Sequence, residues 1–209
     1  MSVVEQTITD SMTEREKRFE RLIELGIALS SERNHNRLME MILLEAKRIP
    51  NADGGTLYLH NEETGGLSFE IMRNDTLNIA MGGTTGQDIP FPPLMTHDPE
   101  TKEPNYKNVA TAVALSKKMS NIPDAYTVEE YDFSGTKAFD EKTGYRSMSF
   151  LTIPLLNRAD DVIGVVQLIN ARDDDGKVVP FDPELEAIIG ALASQAAVAL
   201  ENQLLVQQL

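Results

Sequence analysis

Histidine is the residue of this chain that could carry proton transfer or metal chemistry at neutral pH, and there are only three, His35, His60 and His97. None has the spacing of a metal site, and no pair stands one helical turn apart. A single histidine suffices to ligate haem, and His97 lies in the long loop where that is sterically feasible, but loop histidines of this kind are ordinarily solvated. Cysteine is absent, which removes thiolate nucleophiles, thiolate metal sites and disulfides together. The acidic run Asp173-Asp174-Asp175-Gly176 lacks the remaining ligands of a calcium loop, including the glutamate at its twelfth position. Serine, histidine and aspartate all occur, but no G-x-S-x-G elbow sets up a nucleophile. Gly82, Gly83 and Gly86 are not followed by the G-K-[ST] that a phosphate loop needs. The sequence therefore offers no catalytic residue and no metal site. Its remaining chemistry is hydrogen bonding by hydroxyls, amides and carboxylates, which is the chemistry of recognition.

The elements that would position such groups follow from hydrophobic period. Asp10 to Ser30 places Phe19, Leu22, Ile23, Gly26 and Leu29 on one helical face. Asn34 or Asn36 caps a second helix over Arg37 to Ile49, ended by Pro50 and Asn51. T-L-Y-L-H at 56–60 and L-S-F-E-I-M at 67–72 read as a hairpin joined by a glycine-rich turn. Gly82 to Pro104 reads as irregular, with one short strand at Asp88–Phe91. Tyr106 to Lys118 is helical. Asn121 to Gly144 is polar, with one or two helical turns. Ser149–Leu155 and Val162–Asn170 are the most apolar strands and form a second hairpin. Asp182 followed by Pro183 starts a long helix. Its Leu185, Ile189, Leu192, Ala196, Ala199, Gln203 and Val206 follow the seam of a coiled coil. The sum is an α+β fold: one antiparallel sheet of about six strands, helices on one face, and long N- and C-terminal helices.

At 209 residues and 41% hydrophobic, the chain can bury a single core. A net charge of −14 opposes nucleic acid and anionic membranes as partners. No apolar run approaches the ~18 residues of a membrane helix. The first ten residues lack the basic start of a signal peptide, so a cytoplasmic location is expected. The final helix reaches the end of the sequence without glycine or proline, which reads as a helix that continues into another domain.

Four segments, taken in order, carry a family resemblance. They are N-I-P-D-A-Y at 121–126, D-E-K-T-G-Y-R-S at 140–147, I-P-L at 153–155 and V-I-G-V-V-Q-L-I-N at 162–170. The chain resembles the GAF domain, in particular those that regulate cyclic nucleotide phosphodiesterases and some bacterial cyclases. The resemblance spans about Arg21 to Leu205. It implies a helical extension at 1–20, a sensory domain at 21–205, and a signalling helix from about 183 to 209.

The resemblance also implies a ligand site between the sheet and the segments that cover it. Thr56 falls where the family offers a hydroxyl to a base. Val109 and Ala110 fall at the start of the helix whose amides meet a cyclic phosphate. Thr136, Asp140, Thr143 and Ser147 fall on the covering segment, and Gln167 on the strand where the family often has glutamate. Local roles compete, since Thr143 and Ser147 also suit turn caps and Asp140 a helix cap. Of the phosphodiesterase signature, Asn170, Phe181 and Glu186 are present. Its lysine and aspartate are replaced by Ala171 and Leu185, which leaves Arg172 with Glu184 or Glu186 as a substitute ion pair. The function implied is a regulatory sensor for a small molecule, with cyclic AMP or cyclic GMP as lead ligand. It is not an enzyme, because the sulfoxide reductases and bilin carriers of this fold need cysteine. The implied partners are a second copy, paired through the terminal helices, and a C-terminal output domain. A structural dimerisation module with a filled pocket is the alternative.

Overall fold

Residues 3–207 are described by a computed structural model. Helix α1 (Val3–Ser31) leads into α2 (His35–Arg48), which Asn34 caps by accepting from the Arg37 amide at 2.9 Å. Strand β1 (Ala52–Asn61) starts ahead of the expected T-L-Y-L-H, because it already runs through Gly54 and Gly55. A Cβ at Gly55 would lie 2.9 Å from a Leu43 methyl, so glycine is what lets α2 lie this close to the sheet. β1 pairs antiparallel with β2 (Gly66–Asn74).

The strand expected at Asp88–Phe91 does not form. Its pairing falls on either side, in β3 (Ile79–Gly82) and β4 (Leu94–Met95). Pro90, Pro92 and Pro93 explain this, since each removes a ladder donor. Then come α3 (Val109–Ser116), β5 (Ser120–Ile122), α4 (Ser134–Thr143), and the hairpin of β6 (Phe150–Leu156) and β7 (Val162–Arg172). β8 (Val178–Val179) precedes a 3-10 turn at Pro183–Leu185, capped by Asp182, and α5 (Glu186–Gln207).

The sheet runs β3-β2-β1-β7-β6-β5, every neighbour antiparallel, with β4 added to β2 and β8 to β7. The fold is the expected α+β arrangement, and its terminal helices pack together. The three longest helices share one face. There Leu25, Leu29, Leu38, Ile42, Leu43, Ile189, Leu192, Ala196 and Leu200 meet Leu57, Ile71, Leu151, Ile153, Val166 and Leu168 in one buried cluster. α3 and the segment around Phe133 cover the other face through Val109, Ala110 and Val113 against Tyr58, Phe150 and Val165.

Two details depart from expectation. Four positions of the presumed seam, Ile189, Leu192, Ala196 and Ala199, are buried inside this same chain. Gln203 donates to the Glu32 carbonyl at 2.7 Å and meets His35. The stripe is therefore largely core, because a helix laid on a sheet needs the same spacing as a seam. On α1, Leu22, Leu25 and Leu29 face inward, whereas Phe19 and Ile23 stay exposed. α5 is long and apolar enough, by composition, to cross a membrane, but here that composition serves the buried face under the sheet.

Candidate functional site

A strand alternates its side chains between two faces, and on the α3 side three central strands place polar residues at the same level. Thr56 of β1 is opposite Gln167 of β7, which is opposite Thr152 of β6. The Thr152 hydroxyl donates to the Gln167 amide oxygen at 3.4 Å. This polar row crosses a floor that is otherwise apolar, with Tyr58, Phe150, Val165 and Ile169 around it. Above it lies a cleft of about 390 Å³, within the usual range for small-molecule sites. Phe69 and Phe91 form one wall, ring centroids 5.4 Å apart, with Tyr58 4.8 Å from Phe69. Thr136 and Phe139 of α4, together with Tyr145 and Ser147, form the cover.

Of the eight ligand positions implied by the sequence, Thr56, Thr136, Ser147 and Gln167 line this cleft. The other four do different work. Val109 and Ala110 are buried in the core beneath α3. The Ala110 amide, expected to face a ligand, donates to the Asn108 side chain at 2.9 Å, as the Thr111 amide does at 3.2 Å. Asp140 is 3% exposed and sits inside α4, not at a cap. It accepts from the Ser147 amide and hydroxyl, both at 2.8 Å, and from the Tyr126 hydroxyl at 2.7 Å. It therefore ties the cover to its own base. Thr143 is exposed, donating to the Phe139 carbonyl at 2.7 Å and accepting from the Tyr145 amide at 3.4 Å, as a turn cap does.

Of the signature residues, Asn170 anchors the cover from behind. Asn170, at φ 59°, accepts from the Met148 and Ser149 amides at 2.7 and 3.2 Å and donates to the Arg146 carbonyl at 2.8 Å. It also donates to the Tyr145 hydroxyl at 2.9 Å. That hydroxyl donates to Asp53 at 2.6 Å. Burial and the Asp53 carboxylate hold the Tyr145 hydroxyl well above the usual phenol range, so it remains a donor. Phe181 is 2% exposed in the helix-side core, and Glu186 accepts from the Asn121 amide.

The substitute pair of Arg172 with Glu184 or Glu186 does not form. Arg172 reaches Asp53 and Asp75, each at 3.1 Å, and Lys47 of α2 reaches Asp75 at 2.7 Å. Asp53 is 2% exposed and Lys47 7%. Two carboxylates lie close to β7 here, whereas Glu186 is turned toward Asn121. The result is an ionic cluster that joins α2, the sheet and the cover through Tyr145.

Asn108, Thr152, Tyr145 and Asp53 were missed by sequence reasoning. A signal existed for two of them. Asn108 immediately precedes the apolar V-A-T-A-V, an N-cap pattern. Thr152 interrupts an apolar strand on the same parity as Gln167 across the hairpin. For Asp53 and Tyr145, far apart in sequence, no local pattern pointed to contact.

Among the described residues, no cluster of three or more histidines or carboxylates could hold a metal ion.

Comparison with known proteins identifies the family. The family profile for the GAF domain matches residues 34–200. The cGMP-specific 3',5'-cyclic phosphodiesterase of Drosophila pseudoobscura pseudoobscura is 28% identical over 156 residues, covering 72% of this chain and 13% of that protein. The counterpart in Drosophila melanogaster is 27% identical, covering 72% of this chain and 12% of its own length. This chain thus spans only a small part of those relatives. Among solved structures, the GAF domain of a phosphoenolpyruvate-protein phosphotransferase from Coxiella burnetii superposes with TM-score 0.65 at 14% identity, covering 92% of this chain and 97% of that one. The corresponding Acinetobacter domain gives 0.64 at 13% identity, covering 92% and 98%. At such identity these two show the shared fold alone.

Proposed function

The chain belongs to the GAF domain family, and from that premise we propose that it is a regulatory sensor whose cleft over Thr56, Thr152 and Gln167 binds a small molecule. A purine-type ligand is the lead candidate, with cyclic AMP and cyclic GMP first to be tested, since the relatives in sequence are named as cGMP-specific phosphodiesterases. The observation that carries the reading is the polar row on an aromatic-walled floor. A domain with no use for a ligand would fill that level with aliphatic side chains, as the same strands do on their other face.

Binding is relayed through the terminal helices to an output domain beyond the sensory unit of residues 21–205. Helix α1 exposes Val4, Ile8, Met12, Phe19, Ile23 and Ile27, a stripe suited to pairing with a second copy in a cytoplasmic homodimer. The module regulates and does not catalyse.

A ligand that binds only the folded state raises stability by about 2.7 kcal/mol at a hundredfold excess over its dissociation constant. A thermal-shift screen of cyclic nucleotides, nucleotides, nucleosides and small metabolites is the test. At least one compound is expected to raise the melting temperature, with the rise reduced in Gln167→Ala. If none does, the chain is a structural dimerisation module.

A further inference from the structure

The charges around the cleft narrow the ligand further, on the premise that the cleft is a ligand site. Among the described residues that line it, only Arg73 carries a charge. Its guanidinium is already committed. It pairs with Glu40 at 3.1 Å, and donates to the Met72 and Met81 carbonyls at 2.9 and 3.0 Å. Both partners of that ion pair are largely buried, with side chains 13% and 15% exposed. Among the described residues the cleft therefore offers no free cation, in a chain of net charge −14.

The other means of holding an anion is the amides at a helix N-terminus. The start of α3 borders the cleft at Asn108, and there the position of an anion is taken. The Asn108 amide oxygen accepts from the Ala110 and Thr111 amides. The turn beneath is locked as well, since the Thr111 hydroxyl donates to the Asn105 carbonyl at 2.6 Å and the Asn108 amide donates to the Asn105 side chain at 3.3 Å. What the cleft does present is aromatic faces at Tyr58, Phe69, Phe91 and Phe150 and the neutral side chains of Thr56 and Gln167, the latter held by the buried Thr152 hydroxyl. Rings stack on the former, and ring nitrogens and carbonyls bond to the latter.

We infer that this cleft takes an uncharged, planar heteroaromatic ligand such as a nucleoside or free base, and that Asn108 is the residue that excludes a phosphate from the α3 terminus. A cyclic monophosphate must displace the Asn108 carboxamide and bring a negative charge where no cation waits. An uncharged nucleoside keeps the same ring contacts and does neither.

Calorimetric titration decides it, with guanosine, adenosine and their 3',5'-cyclic monophosphates as probes. The wild type should bind the better nucleoside at least about tenfold more tightly than its own cyclic monophosphate. Asn108→Gly keeps an acceptable N-cap while freeing the two amides. It should gain affinity for the cyclic monophosphate relative to the nucleoside, and so narrow or reverse the ratio. Asn108→Asp, an equally good cap that adds a negative charge, should hold the nucleoside and weaken the cyclic monophosphate further. A wild type that binds the cyclic monophosphate as tightly as the nucleoside, or an Asn108→Gly ratio equal to the wild type's, overturns the inference and leaves the sensor reading standing. If none of the four binds the wild type, the inference falls as well; the sensor reading falls with it only if the wider screen is also silent.

Discussion

The two faces of the central sheet are made from the same strands but built for different ends. Toward α2 and α5, β7 presents Val166 and Leu168 and β6 presents Leu151 and Ile153, all buried in an aliphatic cluster. Toward α3, the intervening residues are Val165, Gln167, Ile169, Phe150 and Thr152, of which Phe150, Gln167 and Ile169 border the cleft. The helix face is closed by α2 and α5 in direct contact with the strands, with α1 packed against those two helices. The other face is covered by short elements: α3 packs directly on Tyr58, Phe150 and Val165, and the segment over the cleft is held by hydrogen bonds, chiefly those of Asp140 and Asn170. On the proposed reading, stability and recognition are thus separated by a single residue of register.

That separation is most severely tested by neighbouring substitutions on β7. Leu168→Ala should cost about 3–4 kcal/mol, because Leu168 is fully buried and the site is hemmed in by α2. Gln167→Ala, one residue away on the half-exposed cleft face, should cost under about 1 kcal/mol. Guanidinium unfolding of the two variants gives both numbers. Comparable losses would mean that the cleft face is ordinary core and that no site has been set aside.

The comparison sharpens within the cover itself. Asp140 and Thr143 both fall at ligand positions by resemblance, but only Asp140 is buried and bonded to three donors. Asp140→Ala leaves the buried Ser147 amide and hydroxyl without their acceptor, and should cost about 2–3 kcal/mol. Thr143→Ala, at an exposed turn, should cost less than about 0.5 kcal/mol. Because Asp140 positions the cover and does not line the cleft, its loss should also speed proteolysis between Asn121 and Ser147. An Asp140→Ala protein as stable and as protease-resistant as Thr143→Ala would place the aspartate in direct ligand contact instead.

These contrasts bear on how much could be read in advance. Both hairpins, the Asn34 and Asp182 caps and the terminal helices were legible, because each is encoded by local period and capping chemistry. Four of the cleft residues were also legible, through motif position. The role of Asp140 was not, since its three donors come from a helix flank and from Tyr126, fourteen residues away. The stripe on α5 misled for a physical reason: spacing alone does not say whether a helix covers its own sheet or another chain. The ionic cluster was illegible altogether. Lys47, Asp53, Asp75 and Arg172 lie on separate elements, and only sheet register brings Arg172 beside the start of β1.

That cluster supplies the smallest effect and the finest test, because it joins the two faces through charge. Burial raises the Asp75 carboxyl, but the hydrogen bonds and charges of Lys47 and Arg172 outweigh it and hold the group below its ordinary value. A carboxyl depressed in the folded state contributes stability above its unfolded pKa, about 4, and loses that contribution as pH falls through the folded value. The Asp75 side chain is 53% exposed, so solvent screening limits the effect to under about 1 kcal/mol. Asp75→Asn should therefore be slightly less stable than the wild type near neutral pH, and the gap should close as the solution is acidified below about pH 4. Urea midpoints measured for both proteins across that range give the difference directly. A gap that persists unchanged in acid would mean that Lys47 and Arg172 do not hold the Asp75 charge. The link between α2 and the cover would then run through Asp53 and the Tyr145 hydroxyl alone.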